Sequence, residues 1–213
     1  MPYSDVDICS NALVLIGMEP ISSFADGTPA ADVCAIRYPL LRDNVLTDYP
    51  WNFAIKKAHL SREVEAPLAG YDYQYLLPSD GTTDGVIAAF DTDDVKAHPR
   101  SNYVIQGGRL LSNDKEVYVD YLAEVNETYW PSYFVDFMAH ALAADITLTL
   151  TRDNGILDRM EQKAYGLPGE GGMGGLFAKA RRKDSYHSPP NNKFSNFPLL
   201  AVRRASTKWK ISS

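Results

Sequence analysis

At Pro50 the hydrophobic period of the chain changes, and this change limits the possible folds more than any other feature. Before Pro50, apolar residues recur every three or four positions. After it, Phe53, Ile55, Lys57 and His59 alternate with Ala54, Lys56, Ala58 and Leu60, an imperfect period of two. Helical spacing returns after Asn126. A chain of 213 residues that reads helix, strand, helix is expected to form an α+β fold. The expected parts are a mainly α-helical bundle from 1–50 and 126–187, an inserted antiparallel β-sheet module at 51–125, and an extended C-terminal arm at 188–213.

Local signals refine this outline. Ser4 and Asp7 have capping-box spacing, and Val6, Cys9, Leu13 and Ile16 follow at helical intervals until Gly17. Thr28-Pro29 opens a second helix, with Pro where a missing N–H costs nothing. Val33, Ile36, Leu40 and Leu41 are its expected buried stripe, and Pro39 should kink it. Tyr71, Tyr73, Tyr75 and Leu77 alternate, Val86 to Phe90 is a short apolar run, and YVIQ-GG-RLL reads as a hairpin. EVYVDYLAE closes the strand region. Phe134, Phe137, Met138, Ala141 and Leu142 predict a helix with a broad apolar face, continuing through ITLTLT because no Gly or Pro intervenes. Asn154 is the expected cap of a further helix that carries Ile156, Leu157, Met160 and Ala164 and ends at Gly166 and Pro168. A last short helix is predicted over LFAKARRKDSY.

The glycine run GLPGEGGMGG at 166–175 places Gly169, Gly171 and Gly174 at the spacing of a dinucleotide fingerprint. That fingerprint needs a strand delivering a tight turn to a helix N-terminus, and here a helical pattern precedes the glycines. A flexible hinge between two helical pieces is the expectation, with no cofactor. The P-loop, H-E-x-x-H and G-x-S-x-G patterns are missing from the sequence. His59, His98, His140 and His187 lie far apart. The acidic loop FDTDDVK lacks the central Gly and closing Glu of a calcium loop. Asp145 is expected to pair with a cation such as Arg159. Cys9 and Cys34 fall in apolar helical patterns and read as buried thiols. No enzyme class is indicated. MPYSDVD does not look like a signal peptide, and no apolar run approaches a membrane span, so no membrane partner is expected.

Charge is unevenly spread. Residues 177–213 hold nine Lys or Arg against one acid, Asp184, while the other 176 residues carry 12 basic and 26 acidic side chains. In the arm, Phe194, Phe197, Leu199, Leu200 and Trp209 are interleaved with Arg203, Arg204, Lys208 and Lys210. Aromatic and Arg anchors of this kind suit an arm that orders on a protein partner. They also suit single-stranded nucleic acid, and a solvated tail without a partner has the same composition.

The stretch RYPLLRDNVLTDYPWNFAIKKAHL, residues 37–60, carries an Arg42-Asp43 pair and a Pro50-Trp51-Asn52-Phe53-Ala54 turn. It is followed by Tyr73-x-Tyr75-x-x-Pro78-x-Asp80, then YVIQGGRLLSND, then Tyr121 onward to MAHALAADI. In order and spacing, over about residues 5 to 165, this resembles the tail tubular protein A-like head-to-tail adaptors of short-tailed bacteriophages. The resemblance implies a helical bundle with an inserted β module and a structural role in the virion neck, in a protein made in the host bacterial cytoplasm. It implies a dodecameric ring of copies between the portal and the tail or nozzle proteins, with double-stranded DNA passing through unread. It further implies that the C-terminal arm embraces the portal, and it brings no catalytic residues. The alternative from the residues themselves is a nucleic-acid-binding module acting through the basic tail. Trp51 and Phe53 are expected where bundle meets sheet. In that family the last helix usually runs on, whereas here the glycine run interrupts it.

Overall fold

The structure, a computed structural model, describes residues 3–68, 70–94 and 98–186. It is an α+β fold. Two helices, α1 (Asp5–Leu15) and α2 (Pro29–Thr47), precede six strands, and three helices follow: α3 (Ser132–Leu150), α4 (Asn154–Tyr165) and α5 (Gly175–Ser185). The strands are β1 (Ile55–His59), β2 (Tyr73–Leu76), β3 (Gly81–Phe90), β4 (Tyr103–Gln106), β5 (Arg109–Ser112) and β6 (Tyr118–Ala123). They form two antiparallel three-stranded sheets, in the orders β1-β6-β3 and β2-β5-β4, where one sheet module was expected. The segment after β1 links the two, since Arg62 bridges to Tyr75 and Glu63 N–H donates to the Gln74 carbonyl.

The helix ends follow their capping chemistry. Ser4 and Asp7 make a full capping box, and Thr28 caps α2 with Pro29 in its first turn. The α4 cap is Asp153 rather than Asn154; its carboxylate accepts from the Gly155 and Ile156 N–H groups. The hairpin between β4 and β5 turns on Gly107 (φ 60°) and Gly108 (φ 74°), both left-handed as a two-residue primed turn requires.

The α2 stripe differs in part from the expected one: Val33 and Leu41 pack, partly buried, against the core, but Ile36 and Leu40 do not. Ala30, Ala31, Cys34, Tyr38, Val45 and Leu46 are buried, while Ile36 and Leu40 are 66% and 56% exposed. The buried face is chosen by what meets α1 and α3: small residues allow close approach, and Tyr38 delivers a hydroxyl to Glu127. Pro39 is exposed and α2 continues past it to Thr47, so the lost hydrogen bond faces water. Asp145 is paired by Arg37 of α2 through two bonds of 2.7 and 2.5 Å, not by Arg159, whose Nε donates to its own helix at Gly155. The α2–α3 geometry accounts for this, because Asp145 lies beside α2 and Arg159 belongs to the following helix.

α3 is the centre of the bundle, with eleven residues buried, among them Phe134, Phe137, Met138, Leu142 and Ile146. It is long and apolar enough by composition to cross a bilayer, closer to a span than the sequence suggested. Here 61% of that stretch is covered by the rest of the fold. Cys9 and Cys34 are buried free thiols in the same core. β6 separates the two cores through its period of two: Val119, Tyr121 and Ala123 face the sheet core, and Leu122 faces the helical core.

Candidate functional site

The turn between α2 and β1, Tyr49 to Ala54, collects more of the motif residues than any other place. Trp51 is fully buried in the helical core, and its indole N–H donates to the Val45 carbonyl at 2.9 Å. Its ring meets Tyr49 at 4.9 Å, Phe134 at 4.8 Å and Phe177 at 6.0 Å, mostly edge to face. Phe53 packs on Phe134 at 4.9 Å and is half-buried. Trp51 therefore belongs to the bundle core, which Leu122 of β6 also enters. Pro50 is exposed and leads the chain into this turn.

Asn52 is fixed from the far end of the chain. Asp184 of α5, fully buried, accepts from the Asn52 backbone N–H (2.9 Å) and from its Nδ2 (2.9 Å) on one carboxylate oxygen. The other oxygen accepts from the Tyr133 hydroxyl at 2.9 Å, and Nδ2 also donates to the Asp184 carbonyl at 3.0 Å. Three donors on one carboxylate offset the cost of burying its charge. Burial, reinforced by the bond to Asp184, pushes the Tyr133 hydroxyl pKa above its ordinary value. One turn earlier, the Arg181 guanidinium stacks over Tyr49 at 4.8 Å and Phe177 at 5.5 Å, and its Nη1 lies 3.7 Å from the Met173 sulfur. Its Nε is buried without a hydrogen-bond partner. α5 is thus clamped to the junction turn at both Arg181 and Asp184. In the sequence Asp184 was only the single acid in a basic stretch; nothing marked it as buried.

The Arg42-Asp43 pair resolves unequally. Arg42 reaches Glu127 at 3.3 Å, Asp43 at 3.4 Å and Glu124 at 3.7 Å. Glu127 is 7% exposed and also accepts from the Tyr38 hydroxyl at 3.0 Å. Burial disfavours the Arg42 charge, but the Glu127 carboxylate and, after it, Asp43 together raise its pKa. Burial, then Glu127, raises that of Tyr38. Asp43 is exposed, so its pair with Arg42 adds little to stability. Asp80, from the Tyr73-to-Asp80 motif, accepts from Lys56 at 2.8 Å and from the Tyr121 hydroxyl at 2.9 Å, and both bonds hold its carboxyl below the usual range. It ties the loop before β3 to β1 and β6.

The glycine run is a built corner and not a loose hinge. A 3-10 turn spans Pro168–Glu170, and the Gly174 N–H donates to the Tyr165 carbonyl at 2.8 Å. At Gly175 (φ 55°) a Cβ would stand 2.7 Å from the Gly166 nitrogen and the Lys163 carbonyl oxygen. This close approach lets α5 fold back on α4. The run joins helix to helix, so it lacks the strand that a dinucleotide turn requires.

The remaining candidates are locally satisfied. His59 stacks on Tyr118 at 4.5 Å, His140 bonds within α3 to the Asp136 carbonyl at 2.8 Å, and Asp91 pairs with Arg100. Among the described residues, no group of three or more His, Cys, Asp or Glu is placed to hold a metal ion. The arm residues Phe194, Phe197, Leu199, Leu200, Arg203, Arg204 and Trp209, and His187 before them, lie outside the described residues. Compared with known proteins, the chain matches no family model and no curated protein.

Proposed function

We propose that this chain is a structural virion protein, a head-to-tail adaptor whose copies form a ring between portal and tail, with double-stranded DNA passing through. The observation that carries this reading is the Asp184–Asn52 clamp. The turn that bears the adaptor-like motif is the same turn that fixes α5, and the basic, aromatic-rich arm leaves from the end of α5. An arm that is to grip a portal needs a rigid point of departure, and the clamp supplies one. The other motif residues, Arg42, Trp51 and Asp80, also hold helices and strands in register, as a load-bridging protein requires. The acidic body suits a DNA channel, because a cationic lumen would hold the phosphates back.

The test is to add the protein to portal-bearing heads and average the images. The expected result, by resemblance, is a ring of twelve on the portal; another symmetry, or no density there, defeats the proposal. The same preparation is titrated with DNA at rising salt. Tight binding that falls steeply with salt would favour a nucleic-acid-binding module acting through the tail.

A further inference from the structure

Beside the glycine corner, α4 and the 166–172 loop bound an open groove of about 500 Å³. Tyr165, Leu167 and Pro168 line it together with the carboxylates of Asp158 and Glu161. No Lys or Arg lines it. Asp158 and Glu161 are exposed and have no ion-pair partner among the described residues. Leu167 is 60% exposed, and Met173, just beyond, 52%. The groove therefore combines apolar surface with two carboxylates and no cation.

The arm has the opposite character. Residues 193–204, KFSNFPLLAVRR, hold four large apolar side chains and three cations with no acid. We propose that in the unassembled protein this segment of the same chain occupies the groove. Phe194, Phe197 and the two leucines meet Tyr165, Leu167 and Pro168, and Arg203 and Arg204 face Asp158 and Glu161.

Reach favours the same chain over a neighbour. α5 begins at the glycine corner and ends at Ser185, so an arm that starts at its end must return about 16 Å along the helix. An extended chain covers that in about five residues, which brings the segment beginning at Lys193 to the groove. The corner holds α4 and α5 side by side, so the return path runs over α5 itself. Docking there keeps the arm's aromatic residues out of water until a stronger site takes them, and it holds whatever the arm's final partner is. The two ion pairs fix the direction of the segment, and reversing both arginines turns two attractions into two repulsions between like charges.

Hydrogen exchange on the full-length protein tests this. Arg203→Glu with Arg204→Glu should speed amide exchange in residues 158–172 at least tenfold, with α3 unchanged as the control for folding. Adding Asp158→Lys and Glu161→Lys to that variant should restore slow exchange. Exchange in the native protein should not change on tenfold dilution. Unchanged exchange in the Arg variant, or no restoration by the reversed pair, overturns the proposal. Protection that weakens on dilution assigns the groove to a second copy and overturns it equally.

Discussion

Asp184 accepts a hydrogen bond of 2.9 Å from the backbone N–H of Asn52, a residue 132 positions earlier in the chain. The contact closes the fold: the last described helix is fastened to the turn where helix gives way to strand. Asp184→Ala would leave that N–H, the Asn52 side-chain amide and the Tyr133 hydroxyl without their shared acceptor. Breaking a buried, charged hydrogen-bond cluster costs about 3 kcal/mol. A clear drop in Tm is expected, with α5 the first element cut by protease. If Asp184→Ala melts within a degree of the native protein, the clamp does not hold α5.

The glycine corner separates space from backbone conformation. Gly171 and Gly172 have left-handed φ values of 59° and 76° with open space around them, so an Ala at either should cost about 1 kcal/mol from backbone strain alone. Gly175 has the same strain, and its Cβ would strike three backbone atoms at 2.7–2.8 Å. Gly175→Ala should therefore destabilise by about 3 kcal/mol or more and part α4 from α5. Urea midpoints of the three single variants check the order. Equal midpoints would show that the corner yields freely.

Gly175 also shows where the sequence stops being informative. The run 166–175 looked like a hinge because five glycines between 169 and 175 carry no periodic signal. Only the fold reveals that one of them meets a carbonyl of the preceding helix. The same holds for Asp184, whose partners lie across the chain. Elements set by local chemistry were legible: the Ser4 and Thr28 caps, the Gly107-Gly108 hairpin and the full length of α3. On α2, however, Ile36 and Leu40 looked core-like by hydrophobicity and face outward, because Tyr38 must turn inward to Glu127. Arg42 and Asn52 were picked out by resemblance, and their partners, Glu127 and Asp184, were not, since neither carries a local pattern.

Tyr121 is one of the groups whose stabilisation is lost in alkali. Burial, then the bond to Asp80, pushes its hydroxyl pKa up to about 12. An unfolded tyrosine ionises near about 10, so the folded state holds the proton more tightly. Its contribution is fully present below about pH 10 and is lost as pH rises towards about 12. Tyr121→Phe removes the bond to Asp80, lowers stability at neutral pH by about 1 kcal/mol, and should flatten this part of the alkaline decline. Denaturant melts at pH 8 and pH 11 measure both effects. A variant that declines as steeply as the native protein would show that Tyr121 contributes nothing to the decline.

The arm gives the prediction on which the proposed function depends most. Residues 188–213 carry five large apolar anchors and five Lys or Arg without an acid. Ordering them costs about 1–2 kcal/mol of backbone entropy per residue, so a partner must offer both pockets and negative charge. Among the described residues, the buried side chains of both cores run from Ile8 to Ala180. A chain ending at His187 should therefore melt close to the native temperature and yet fail to attach to portal-bearing heads. Within the arm, Phe197→Ala or Trp209→Ala should weaken attachment at least tenfold, and Lys193→Ala less than threefold. Buried aromatics dominate such interfaces, while rim charges are screened. Attachment is read by co-sedimentation with the heads at two salt concentrations. If the shortened chain sediments with the heads as fully as the whole one, the anchor lies on the folded body, and the exposed Ile36–Leu40 face of α2 becomes the surface to mutate next.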